Sequence, residues 1–279
     1  MTFFRKQAKK AVATDIFDAF EESPDSGNAT LSDGEGTLSI VAKTDKGTVR
    51  KSNQDAIGAQ FNSMHDGALL VVADGMGGHE HGEYASCLTV DELLSAYQQG
   101  KLQTEQSIQK LFRRLDSAIK KKYDNCGTTC VMAIIDTDGI RIANIGDSRA
   151  YLLRGGQLRQ LTHDDSLVQD LLDKKRITEK QAATHPRRNV LTKALGHGKK
   201  VEATFTYAAL MEDDVVMLCS DGLHGSVSDE QIIEILSQQS ELGTIADSLI
   251  GLALAQGSTD NASVAIAQHT NERSAVIAS

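Results

Sequence analysis

An α+β fold, with antiparallel sheets and helices layered outside them, follows from three features of the sequence. The candidate strands are short, rich in Val and Ile, and bounded by Asp-Gly or Gly-Gly turns. They come in hairpins, as at "DTDGIRI" and "LRGGQLRQL". The helical stretches follow pairs of strands, so the strict strand–helix–strand alternation of a parallel sheet is missing. There is no internal repeat.

Along the chain, Val12, Ile16 and Phe20 recur every four residues and predict a helix over residues 5–22. The polar, Gly- and Ser-rich stretch 22–36 then reads as a flexible linker. Residues 1–36 are thus expected to form a helical arm and a linker, with the main domain starting near Thr37. Strands are expected over 38–43, 67–73, 129–136, 139–145, 149–154, 201–206, 214–219 and 262–267. Helices are expected over 81–98, 104–122, 229–239 and 243–255. The second has the clearest apolar stripe: Ile108, Leu111, Phe112, Leu115 and Ile119. Ser228 is a candidate N-cap for the third. Between residues 164 and 196 the chain is polar, with two short helical pieces, "LVQDLLDKK" and "ITEKQAAT".

Composition narrows the function. A net charge of −9 argues against a nucleic-acid-binding surface, which needs Lys and Arg for phosphates. No apolar run has the length of a membrane span. The basic start "MTFFRKQAKK" lacks the apolar core of a signal peptide, so the expected compartment is the cytoplasm. Cys126 and Cys130 lack a second ligand pair for zinc. All four cysteines, Cys87 and Cys219 included, read as small buried apolar side chains.

The chemistry lies in acids placed at strand ends and turns: Asp55, Asp74, Asp147, Asp221 and Asp260. Each alone is a common turn residue. Five together, each after an apolar run or beside Gly or Ser, point to convergence on one rim. Ionised carboxylates so close repel, and a divalent cation compensates them. Hard oxygen donors without His or Cys at ligand spacing suit Mg²⁺ or Mn²⁺, and the number of acids suggests more than one ion. The calcium-loop spacing D-x-D-x-D-G is absent. "DGMGGH" lacks the GK[ST] of a P-loop, and its Gly75, Gly77 and Gly78 instead let a backbone carbonyl face a metal.

An ordered set of motifs now resembles a known family. They are "GTVRKSNQDA" (47–56), "VVADGMGGHEHGEYAS" (71–86), "GTT" (127–129), "ANIGDSRAYLLRGGQL" (143–158), "LTHDDSLV" (161–168), "HPRRNVLTKALG" (185–196), "LCSDGLHGSVSDEQI" (218–232) and "GSTDNASVAI" (257–266). The chain is similar to metal-dependent protein serine/threonine phosphatases of the 2C type, in their bacterial form. The resemblance runs from about Thr37 to His269. It implies a four-layer α/β/β/α sandwich, with a catalytic domain over 37–271, a mobile flap at about 164–196 and a tail at 272–279. It implies two or three metal ions. Asp74 would bridge two ions, Asp221 and Asp260 would complete the first, and Asp55 and the Gly75 carbonyl would hold the second. Asp147, sharing Asp221, would hold the third. Arg50 would grip the substrate phosphate, and a metal-activated bridging water would attack phosphorus with no phosphoenzyme.

Two departures bear on this. Some members carry Glu where this chain has Gln54, so Asp55 supplies that charge alone. Eukaryotic members have His where this chain has Met76; His79 and a metal-bound water are then the candidate proton donors. His163 and His185 read as structural or flap residues, and the role of His224 stays open. The expected partners are phosphoserine and phosphothreonine proteins, substrates of a bacterial serine/threonine kinase, acted on by a monomer. Two alternatives remain: a pseudophosphatase used as a binding module, and a phosphatase of small phosphorylated molecules.

Overall fold

The computed structural model describes residues 26–32, 37–62, 67–77, 80–198 and 201–270. One sheet takes β1 (Ser26–Ser32), β2 (Thr37–Asp45), β12 (Ala262–Thr270), β11 (Val215–Cys219), β8 (Arg149–Arg154) and β9 (Gln157–Gln160), in that order. The other takes β10 (Thr204–Ala208), β7 (Gly139–Ile145), β6 (Cys130–Asp136), β4 (Gly67–Met76) and β3 (Asp55–Asn62), with the short β5 (Gly127–Thr128) on the end of β4. Every pairing is antiparallel.

Strand alternation builds the layers. On β4, Ala68, Leu70 and Val72 face the other sheet, where they meet Ile40, Ala42, Val216, Leu218 and Ala265. Leu69, Val71 and Ala73 face outward, under α1 (Glu80–Gln98) and α2 (Glu105–Lys122). Both faces of the strand are therefore covered, which is why it reads as one continuous apolar run. On the far side, Val215, Met217 and Cys219 of β11 pack under α6 (Asp229–Leu236) and α7 (Leu242–Ala255). The result is the expected α/β/β/α sandwich.

Local signals account for most element ends. Thr104 caps α2 and exchanges hydrogen bonds with Ser107. Ser228 caps α6 by accepting from the Gln231 N–H. The β8–β9 hairpin turns on Gly155 and Gly156, both at positive φ, which a two-residue turn of this hand requires.

The structure corrects several expectations. The stretch expected as a linker contains β1, which pairs with β2 from Ser26↔Lys43 to Ser32↔Thr37. An open strand edge offers unpaired N–H and C=O groups, and these recruit even a polar segment. The folded domain thus begins before Thr37. The expected helix over 5–22 and the tail at 272–279 lie outside the described residues. Strand β3 was not expected, because "DAIGAQFN" has few β-branched residues; pairing with β4 imposes the conformation. The strand expected over 201–206 is β10, set further along at Thr204–Ala208. Cys87 is exposed on α1, not buried.

Phe112 is fully buried between α2 and its sheet. Phe112→Ala is expected to cost about 3–5 kcal/mol by leaving a cavity. Urea unfolding monitored by circular dichroism checks this; a loss below about 1 kcal/mol would contradict the packing.

Candidate metal centre

All five predicted acids meet at one end of the sandwich. Asp55 opens β3 and stands opposite Asp74 in the β3–β4 register. Asp74 continues the inter-sheet row of Ala68, Leu70 and Val72. Asp147 follows β7, Asp221 begins the single-turn helix α5 (Asp221–His224), and Asp260 precedes β12. Asp55 and Asp74 thus come from one sheet, Asp221 and Asp260 from the other, and Asp147 from the β7–β8 connection between the two.

The frame around them is hydrogen-bonded in one direction. Asn53 Nδ2 donates to Thr44 Oγ1 at 2.9 Å. Thr44 Oγ1 and Ser263 Oγ are 2.7 Å apart, and Ser263 Oγ donates to Asp55 Oδ2 at 2.6 Å. Ser220 Oγ donates to the same oxygen at 2.8 Å. Ser220 Oγ accepts from the Ser263 N–H and makes no side-chain cap for α5. Asp74 is held by its backbone instead. Its N–H donates to Thr129 Oγ1, and its carbonyl accepts from the Thr129 N–H and Thr128 Oγ1.

Two glycines permit the close packing. A Cβ on Gly75 would overlap the carbonyls of Gly82 and Gln54, so only Gly lets α1 start against this strand end. A Cβ on Gly222 would overlap the carbonyl of Asn261. Asn261 also orders the loop that carries Arg50. Its Oδ1 accepts from the Gln54 N–H, and its Nδ2 donates to the carbonyls of Lys46 and Ser52. Arg50 itself lies at the rim, paired through NH2 with Asp260 Oδ2 at 2.5 Å.

Burial and mutual repulsion raise these acids. Burial is the main cause pushing Asp55 from 3.8 up to about 7; the two serine hydroxyls oppose it, and Asp221 and Asp260 add to it. Burial, then Asp221 and Asp164, push Asp147 to about 7. Asp74 rises well above the ordinary carboxylate range, through burial and then Asp55, Asp221, Asp147 and Asp260. Asp221 is raised by burial and Asp260, and it shares a hydrogen bond with Asp74.

The donor set fits hard divalent cations. Asp55 and Asp147 are buried, Asp74, Asp221 and Asp260 are half-buried, and Asp221 Oδ1 is buried without a hydrogen-bond partner. Among the described residues, no three acidic, His or Cys side chains already surround one point as a ligand set. Several oxygens are instead engaged by protein donors: Asp55 Oδ2 by two serines, Asp260 Oδ2 by Arg50 and Asp260 Oδ1 by the Asn261 N–H.

His79 lies outside the described residues. His163 pairs with Asp173 on the surface, and His185 Nδ1 accepts from the Arg187 N–H. Both belong to the 164–196 segment with its helices α3 (Leu167–Asp173) and α4 (Glu179–Ala183), or stand beside it. The sequence reading missed Ser220, Ser263, Thr44, Asn53 and Asn261. The first two flank predicted acids in "CSDG" and "TDNAS"; nothing in the sequence marks Thr44.

A two-sheet sandwich with carboxylates gathered at one end, under an Arg, defines the class: a metal-dependent hydrolase of phosphate esters. The family model described as Protein phosphatase 2C matches residues 41–262, and the chain belongs to that family. The serine/threonine phosphatase stp of Listeria monocytogenes serovar 1/2a is 37% identical over 237 residues, covering 81% of this chain and 94% of its own. The serine/threonine protein phosphatase PstP of Mycobacterium tuberculosis is 38% identical over 244 residues, 82% of this chain but 45% of PstP. Among solved structures, the catalytic domain of a PstP in complex with two manganese ions superposes with a TM-score of 0.74. It is 36% identical, over 84% of this chain and 99% of that one. Among the described residues no helix is long and apolar enough to cross a membrane.

The raised acids have a pH consequence. Asp55 and Asp147 ionise near 3.8 when unfolded and near 7 when folded. Their contribution to stability is fully present below the lower value and is lost as pH rises through the upper one. The melting temperature in EDTA is therefore expected to fall between about pH 4 and about pH 8. Mn²⁺ takes the deprotonated form, so the stabilisation it adds should grow across the same interval. Thermal melts with and without Mn²⁺ test this; an increment flat in pH would contradict the coupling.

Proposed function

We propose how this chain, a protein serine/threonine phosphatase of the 2C type, hydrolyses phosphoserine and phosphothreonine in proteins. The observation that supports the reading is the convergence of Asp55, Asp74, Asp147, Asp221 and Asp260 from both sheets, with Arg50 on Asp260 at the rim. Asp74, Asp221 and Asp260 would hold one ion. Asp74, Asp55 and the Gly75 carbonyl would hold a second, and Asp147 with Asp221 a third. Bound there, Mg²⁺ or Mn²⁺ supplies a water of lowered pKa and neutralises phosphate charge.

The chain's own groups do the rest. Arg50 is only half-exposed, and its planar fork can leave Asp260 for two phosphate oxygens. That exchange also frees Asp260 Oδ2 as a ligand. Ser220 and Ser263 keep Asp55 Oδ2 aimed while its charge changes. A phosphocysteine route has no candidate. Cys126, Cys130 and Cys219 are buried, burial pushes the Cys219 thiol up to about 12, and exposed Cys87 is raised by partial burial, Asp91 and Glu83. The proposed direct nucleophile is a water at the metal site. The proton for the leaving oxygen comes from His79 or from solvent at the site. The 164–196 segment is proposed to border the substrate and help select it. The expected substrates are products of serine/threonine kinases, in the cytoplasm.

Hydrolysis of a phosphothreonine peptide, in EDTA and then with Mn²⁺ or Mg²⁺, tests the reading. Turnover should require metal and fall by roughly 10²–10³-fold or more in Asp74→Ala. Arg50→Ala should raise KM about 10-fold, and Arg50→Lys should recover only part of it. A folded protein that binds metal and phosphopeptide without turnover would make it a binding module instead.

A further inference from the structure

We propose that His224 is a positioning residue that locks the Asp147 loop to the Asp221 turn and so sets the separation of two acids that stand just past the last pair of the β8–β11 ladder. The inference rests on reading the acid cluster as a metal site. Helix α5 is one turn long, with Asp221 at its first position and His224 at its last. His224 Nε2 lies 3.0 Å from the carbonyl oxygen of Asp147. A carbonyl only accepts, so Nε2 carries the hydrogen. Among the described residues, this bond joins α5 to the Asp147 loop beyond the end of the β8–β11 ladder, whose last pair is Cys219↔Arg149.

The surroundings suit a fixed neutral donor. Burial is the first cause holding the ring well below its ordinary pKa, and the nearby Arg149 guanidinium is the second. Arg149 is itself clamped by Asp164, through Nε at 3.0 and 3.1 Å and NH2 at 2.7 Å. Gly146, next to Asp147, is gripped from the other side: its N–H donates to Asp165 Oδ2 and its carbonyl accepts from the Asp165 N–H. The loop is therefore held on both flanks, and His224 supplies the tie to Asp221. With its Nε2–H engaged on the Asp147 carbonyl, the ring is a tether between the two turns.

The test compares His224→Leu and His224→Gln in the full chain. Gln places an N–H close to where Nε2 stands; Leu fills similar space without one. Mn²⁺ titration calorimetry should show binding weakened about 10-fold or more in His224→Leu, as when an outer partner of a ligand is removed. The Mn²⁺ concentration for half-maximal turnover should rise in parallel, while KM for a phosphopeptide stays within about 2-fold. His224→Gln should recover most of both losses, and the EDTA-treated variants should melt together. Unchanged Mn²⁺ binding in His224→Leu, or equal impairment in both variants, overturns the assignment. If the unmodified chain binds no Mn²⁺, the metal-site reading fails. The tether is then judged by ¹⁵N NMR of the ring: a neutral Nε2–H tautomer supports it, and an Nδ1–H tautomer overturns it.

Discussion

The rest of the structure depends on holding five like-charged carboxylates at one end of a close-packed sandwich. Burial in a poor dielectric disfavours their charged forms, and each neighbour adds to the penalty. Such a cluster persists only where the covalent frame and its hydrogen bonds leave the side chains little freedom to turn away. Both sheets therefore end here in short, satisfied turns. The Asn53–Thr44–Ser263–Asp55–Ser220 chain crosses from one sheet to the other, so Asp55 cannot move without disturbing β2, β11 and β12. Asn261 does the same for the Arg50 loop.

Positive charge is placed around the cluster and not within it. Arg50 sits at the open rim on Asp260, where it is able to exchange partners. Arg149 lies behind Asp147 and is bound by the buried Asp164, so it acts as a fixed support. Lys193 binds the buried Asp165 at 2.6 Å, and the Thr192 N–H reaches the Asp165 carbonyl. These contacts join the end of the 164–196 segment to its beginning. Its last turn is tied down further by the Gly196 N–H on Asp116 of α2 and by reciprocal bonds between Leu195 and Thr128. The two short helices between these anchors carry few buried residues, so the segment is firm at its ends and exposed in its middle. A surface beside the site can thus vary without loosening the acids.

Much of this was legible in the sequence. The continuous apolar runs of β4 and β11 and the stripe on α2 specify elements with buried faces, because burial leaves a strong imprint on the sequence. The five acids stood out because each interrupts a strand end beside small residues, and the ordered motifs named the chemistry. Strand β3 left no such imprint: its conformation comes from Asp55–Asn62 pairing along β4, a partner distant from any local preference. Strand β1 was hidden for the same reason, since its Ser, Gly and Asn content describes a linker until an edge is available. Cys87 was misread because an apolar neighbourhood in sequence does not say which side of a helix faces out.

By itself, then, the sequence determined that helices lie outside antiparallel sheets, the helix cap at Ser228 and the identity of the acids, all of which rest on local pattern or residue chemistry, while the four-layer order came from the family resemblance. Only the tertiary structure decided which sheet carries each acid, that Thr44 and Ser263 hold Asp55, and that Arg50 rests on Asp260. It also turned His224 from an isolated histidine into a contact of Asp147. These depend on contacts between residues up to about two hundred positions apart, such as Asp55 with Ser263. Their geometry is fixed by how two twisted sheets close on each other, which no short stretch of the chain encodes.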